Sequence, residues 1–348
     1  MTAPIVVFYA YKGGTGRTTT LALVAWALAR QGRRVVVMDF DLTAPGLGPL
    51  FGTPPETRGI VDLAREWPRD RRCAVLDAYW EVPLDAQATG NLFVITAGRV
   101  DAEYLAALQA FDWQDLVTPK AMQGDLFDAK RSFLDALRDA VRADLRPDVI
   151  LVDAPTGFSD TANVVLDVLA DAAVLCFAPN RIQLEGIGRV AHMLVRAVCE
   201  RREAGEAPRP DVLCVASMLM SRRLGSAEMK RVKTAFDYLR EVRYDAFGRS
   251  RQLDEQTLEI VEQEPCVVGY EGALSDLDGL STERPIEPDA LAAVSEVIPF
   301  VRDRIPARDS EARSSAPFAA DERLAVLRRL PAVFRQFAES EASALEKV

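Results

Sequence analysis

An α/β fold, with a doubly wound and mostly parallel sheet flanked by helices, is what this sequence predicts, on three observations. Short β-branched runs recur at 5–9, 34–38, 92–96, 148–152, 172–177, 211–215 and 266–268. Most are continuously apolar, as strands covered on both faces are. Helical periodicity lies between many of them, and that alternation is the signature of helices packed on a parallel sheet. The third observation is a Gly-rich turn, KGGTGRTT (12–19), that joins the first strand-like run to the first helix-like run.

The elements follow in order. IVVFYA (5–10) reads as a strand, and TTTLALVAWALAR (18–30) reads as a helix with Leu21, Val24, Ala25 and Leu28 on one face before Gly32. RRVVVMDF (33–40) is a second strand that runs into DFDLTAPGL. Residues 64–91 are less regular, hold Trp67 and Trp80 with several Pro and Arg, and are expected as a surface excursion. PDVILVDAPTG (147–157) is a strand that ends on Asp153. Residues 1–305 are expected as one domain, PARDSEARSSAPF opens a polar linker over 306–319, and 320–348 form a helical tail.

At 348 residues, 49% apolar and 27% charged, the chain has ordinary globular composition. A net charge of −10 argues against wholesale attraction to nucleic acid and leaves room for a local patch. No charged leader precedes an apolar core at the N-terminus, and no apolar run approaches the roughly 20 residues of a membrane span. The cysteines, Cys73, Cys176, Cys199, Cys214 and Cys266, form no C-x-x-C pair. Free buried thiols in a cytoplasmic protein are expected. With His192 the sole histidine, a His-based metal cluster is not expected.

The turn at 12–19 is built for phosphate. Its glycines let backbone N–H groups converge, and a helix N-terminus adds positive potential. Lys12 and Arg17 supply formal charge, and Thr18 stands where a P-loop hydroxyl meets Mg²⁺. Two positions depart from G-x-x-x-x-G-K-[ST]: Tyr11 replaces the first Gly, and Arg17 replaces the Lys. Asp39 and Asp41 leave the second strand at the same sheet edge. Carboxylates there can hold Mg²⁺ waters or orient an attacking water. The same stretch also reads as an ordinary turn rich in Asp, Pro and Gly. Asp153, after four apolar residues, has the Walker-B pattern of a buried strand that delivers one carboxylate toward the metal.

Together these pieces resemble the ParA/MinD family of deviant Walker-A ATPases, in a variant with Arg in the motif (KGGxGR). Residues 12–18 match K-G-G-x-G-K-[ST] except at Arg17, and Asp39 and Asp41 match the Asp-x-Asp switch. APNRIQLEGIGRV (178–190) and EPCVVGYEGALSD (264–276) are similar to later family segments, the second bordering the adenine. The resemblance implies a dimer that sandwiches two ATP molecules with Mg²⁺. Gly13, Gly14, Thr15, Gly16, Arg17, Thr18 and Thr19 would hold the nucleotide. Lys12 would reach the partner's nucleotide, Arg17 would contact the β- and γ-phosphates, and Thr18 would ligate Mg²⁺. Asp41 would position the water, with Asp39 and Asp153 supporting the metal through water.

Arg17 leaves two outcomes open: slow, partner-stimulated hydrolysis, or a nucleotide-binding interaction module without turnover. A bacterial tyrosine kinase is a poorer match, because the last tyrosine is Tyr270 rather than a terminal cluster. Iron–sulfur carriers of the superfamily need paired cysteines that are absent here. Two patches suggest further partners. Residues 222–251 carry Arg222, Arg223, Lys230, Arg231, Lys233, Arg240, Arg243, Arg249 and Arg251 against four acids, which reads as a solvated helix face or as a non-specific DNA contact. RLAVLRRLPAVFRQF (323–337) sets Leu327, Leu330, Phe334 and Phe337 on one helical side. Docking on protein suits it better than a membrane, since Pro331 interrupts it and Glu339 and Glu341 follow.

Overall fold

The computed structural model describes residues 2–70, 73–85, 88–110, 132–219, 226–248, 263, 265–269 and 288–306. The strands are β1 (Ile5–Ala10), β2 (Arg34–Asp39), β3 (Trp80–Glu81), β4 (Asn91–Ile95), β5 (Val149–Asp153), β6 (Ala172–Phe177), β7 (Asp211–Leu219) and β8 (Cys266–Gly269). They form a single sheet in the order β3-β4-β2-β5-β1-β6-β7-β8. All neighbours are parallel except β3 and β4. The order reverses direction around β1, so the crevice beyond its carboxyl end is a topological switch point.

The helices are α1 (Arg17–Arg30), α2 (Leu47–Leu50), α3 (Ile60–Asp70), α4 (Ala102–Ala110), α5 (Phe133–Ala140), α6 (Asp160–Val164), α7 (Arg181–Glu203), α8 (Ser226–Phe247), α9 (Pro288–Ala293) and α10 (Val297–Arg302). The two faces of the sheet carry separate cores. Val6, Phe8 and Ala10 of β1 pack with α1, α9 and α10. Ile5, Val7 and Tyr9 point the other way, toward α3, α5, α6, α7 and α8. The period of two along the strand produces this split, and cover on both faces is why the strands are apolar throughout.

All seven anticipated strands are present, and the structure adds three features. β3 is a two-residue antiparallel edge strand, pairing Trp80 with Val94 and Glu81 with Phe93. It falls in the segment 64–91 that was expected as a surface excursion. The segment is not surface throughout: Trp67, Val75 and Ala78 are buried in the core with α3, and Val82 is buried in the core on the opposite face, while Leu76 is exposed. α1 is buried nearly all round, including Leu23 and Trp26, because α9 and α10 pack against it as well as the sheet. The 320–348 tail and all but Pro306 of the 306–319 linker lie outside the described residues. So do Arg222, Arg223, Arg249 and Arg251 of the basic region.

Candidate phosphate-binding site

β1 ends at Ala10, and the chain turns back into α1 by Gly16. Gly14 (φ 78°) and Gly16 (φ 68°) occupy the left-handed region, where a side chain would strain the backbone. Gly16 caps α1 and has no side-chain acceptor to offer the first N–H groups. The first turn holds no acidic residue. Its N–H groups therefore lie open to an anion, in line with the helix dipole. Lys12, Gly13 and Gly14 are exposed, Thr15 and Arg17 are buried, and Thr18 and Thr19 are half-buried.

Sheet register brings the carboxylates together. Asp39 of β2 stands directly opposite Asp153 of β5, and Asp153 is also opposite Phe8 of β1. Both aspartates are fully buried. Arg17 reaches into this cluster. Its Nη2 donates to Asp41 Oδ2 at 3.0 Å and to Asp153 Oδ2 at 3.1 Å. Its Nε lies 2.5 Å from Asp153 Oδ1, too misaligned for a hydrogen bond and therefore an ion pair. The Thr18 hydroxyl donates to Asp153 Oδ2 at 2.7 Å and lies 3.2 Å from Arg17 Nη2. Burial disfavours the Arg17 charge, but Asp153 and then Asp41 outweigh it, so the guanidinium pKa is raised.

Asp39 is placed differently. Its Oδ1 accepts from the Asp41 N–H at 3.1 Å, and its Oδ2 accepts from Gly46 and Leu47 N–H, each at 3.1 Å. Both oxygens thus tie down the turn that carries Asp41. Burial, and then the charge of Asp153, push its carboxyl up to about 8, against the pull of those backbone donors. Tyr104 braces the same turn, its hydroxyl donating to the Leu42 carbonyl at 2.6 Å. Sequence reasoning missed Tyr104, because nothing in its helix marks it as a partner of residue 42.

Tyr11 and the segment 178–190 explain each other. A Cβ on Gly186 would lie 2.0 Å from Tyr11 Cδ1, so the ring rests where only glycine leaves room. Phe158 meets Tyr11 edge-on at 5.6 Å. Asn180 caps α7 by accepting from Gln183 N–H at 3.1 Å, and Gln183 Oε1 accepts from Ala178 N–H at 2.7 Å. The Asn-x-x-Gln spacing thereby builds the helix start from which Gly186 meets Tyr11.

The donor set can be tested against Mg²⁺. Among the described residues no three His, Cys, Asp or Glu side chains form a metal cage. Mg²⁺ does not need one: it usually takes one or two protein oxygens plus substrate phosphates and water. The Thr18 hydroxyl beside Asp153, whose buried Oδ1 makes no hydrogen bond, supplies hard oxygen ligands next to the anion-binding turn. The residues fit.

Other expectations resolve unevenly. Of the basic region, Lys230, Arg231, Lys233 and Arg240 are exposed on α8. Arg243 is buried and donates to the Leu239 and Gln263 carbonyls, so it is no surface charge. β8 supplies Cys266–Gly269 of the segment 264–276; residues 270–276 lie outside the described residues, as does 323–337. His192 Nε2 is 4.0 Å from Asp245. Cys73, Cys176, Cys214 and Cys266 are buried free thiols, and Cys199 is half-buried.

Comparison with known proteins agrees with this geometry. Residues 6–246 match the family model described as the CobQ/CobB/MinD/ParA nucleotide-binding domain. The chain is 25% identical to the septum site-determining protein MinD of Escherichia coli over 206 residues, 59% of this chain and 64% of that protein. It thus spans less than two thirds of that relative's length. In structure it is similar to MinD of Pyrococcus horikoshii complexed with Mg-ADP: TM-score 0.52, 19% identity, covering 85% of this chain and 96% of the other. It is likewise similar to pNOB8 ParA bound to nonspecific DNA, with TM-score 0.50, 17% identity, and 87% and 98% of the two chains covered. At those identities the structural likeness speaks for the fold. The family model, which spans most of the chain from β1 through α8, settles the membership: this protein belongs to the CobQ/CobB/MinD/ParA nucleotide-binding family.

Proposed function

We propose that the chain is an Mg²⁺-dependent ATP switch that hydrolyses ATP slowly, dimerises through its nucleotide face, and positions or regulates a partner complex. One observation carries this reading: register sets Asp39 opposite Asp153 at the carboxyl edge of the central strands, and Arg17 and Thr18 of the phosphate turn bond to Asp153. The backbone of Gly13–Thr19 would receive the phosphates, with Arg17 on the β- and γ-phosphates. Thr18 and Asp153 would hold Mg²⁺, which when bound neutralises phosphate charge. Asp41, bonded to Arg17, would orient the attacking water. Asp39 serves Asp41 chiefly by fixing its turn through three backbone bonds. The chemistry is in-line transfer to water, in which positioning and charge neutralisation do most of the catalysis.

Lys12 is exposed at the loop's tip, free to reach a second subunit's nucleotide. Phe158 and Ile182, 42% and 59% exposed, flank the same edge and offer apolar contact to a second copy. The exposed Lys230, Arg231, Lys233 and Arg240 are a non-specific DNA contact in this reading, by analogy with the DNA-bound ParA neighbour. A cytoplasmic location accompanies it; among the described residues no helix is long and apolar enough to cross a membrane.

The test is phosphate release from Mg-ATP, alone and with candidate partner proteins. Asp41→Ala is expected to abolish release while nucleotide binding survives. The hold of Arg17 on Asp41 and Asp153 also favours a second reading, an ATP-binding module without turnover. ATP binding with no release above a buffer blank would select it.

A further inference from the structure

Arg17 bonds to the two carboxylates that the proposed site needs for metal and water. One Nη2 joins Asp41 Oδ2 at 3.0 Å and Asp153 Oδ2 at 3.1 Å, while Nε pairs with Asp153 Oδ1 at 2.5 Å. Thr18 is committed as well, since its hydroxyl donates to Asp153 and accepts from Arg17. Asp39 contributes little to this pair, its oxygens being held by backbone donors. The cation of the Gly-rich turn and the proposed metal ligands therefore pair with one another.

We propose that Arg17 is a displaceable internal counter-ion that makes metal uptake conditional on phosphate binding. The inference rests on the nucleotide reading above and adds the coupling between its two ligands. A divalent cation arriving alone would meet Arg17 at the same carboxylates. It would have to expel a buried guanidinium with no other anion to pair with, and removing one partner from a buried pair is strongly unfavourable. A phosphate on the α1 turn changes the balance. Arg17 stands at the start of that helix and can turn its planar fork to two phosphate oxygens. Asp153, Asp41 and Thr18 are then free for the metal, and no buried charge is left unpaired. By linkage the effect is reciprocal: metal favours the Arg17 position that phosphate needs. A lysine could not do this equally well, because a single ammonium nitrogen lacks the second donor atom with which Arg17 engages Asp153.

The experiment is Mn²⁺ binding to the full chain by electron paramagnetic resonance, with Mn²⁺ in place of Mg²⁺ and no nucleotide. Wild type is expected to bind Mn²⁺ weakly. Arg17→Met, which frees both carboxylates, is expected to bind it at least about tenfold more tightly, a difference of about 1.4 kcal/mol or more. Arg17→Lys keeps the charge, protects against failure of the first variant to fold, and is expected to fall between the two. Wild type binding Mn²⁺ as tightly as both variants would overturn the proposal and leave the nucleotide reading intact. Thermal melts of wild type with ADP and Mg²⁺ separate the two ideas: no rise in midpoint would sink the nucleotide reading, and the coupling with it.

Discussion

The ring of Tyr11 lies against Gly186, so close that a Cβ there would come within 2.0 Å of Cδ1. Tyr11 is one of the two departures from the common phosphate-loop motif, and Gly186 ends the Leu-Glu-Gly segment on α7. The contact locks the loop's first residue to a helix that starts about 170 residues later. Gly186→Ala is therefore expected to destabilise the protein by about 1–3 kcal/mol, the usual cost of overpacking. Urea unfolding measures it. Tyr11→Ala should absorb most of that cost in the double variant, since neighbours in contact are not additive. Additive effects would show that the two residues do not meet.

Arg17 pairs with both Asp41 and Asp153 in a buried cluster. In the nucleotide-free protein Arg17→Ala should cost about 3–5 kcal/mol, as expected when a buried charge loses its partner. Adding Asp41→Asn should recover part of it by removing one of the stranded charges. Chemical denaturation of the three proteins at one pH checks the order; a neutral Arg17→Ala would mean that the pair contributes nothing to the fold.

Lys12 carries the opposite expectation. It is exposed, so Lys12→Ala should change stability by no more than about 0.5 kcal/mol. ATP-dependent dimerisation should be lost. Light scattering with ATP decides, and a variant that dimerises like wild type would remove the proposed contact across the interface.

The thiols report on the core. Burial pushes Cys73 and Cys176 up to about 12 and raises Cys214 and Cys266 as well. A thiol raised in the folded state keeps its proton while the unfolded chain loses it, so stability falls as pH rises above the unfolded value of about 8.5. Native alkylation with iodoacetamide near pH 8 should modify Cys199 first, with the four buried thiols reacting only in denaturant. Mass spectrometry of the labelled peptides tests this; early modification of Cys176 would contradict the buried central strand.

Much of this was legible before the fold. Strands covered on both faces must be apolar throughout, so β1, β2, β5 and β6 announce themselves in composition. The strand–turn–helix at 5–30 does so by its glycines. The segment 64–91 was not legible, because α3 and β3 are too short and too mixed in composition for a period to emerge. Lys230 and Arg243 look alike in the sequence and lie on the same helix, yet one is exposed and the other is buried with its donors on backbone carbonyls.

By itself the sequence determined a Gly-rich turn between strand and helix at 12–19 and strands that end on Asp39 and Asp153, with Asp41 just beyond, because local geometry and strand order suffice for both. Only the tertiary structure decided their parts. Register set Asp39 opposite Asp153, three backbone donors turned Asp39 into a brace, and Arg17 closed on Asp41 and Asp153. The physical reason is that a buried charge must find a partner, and the partner is whatever the folded chain brings within reach.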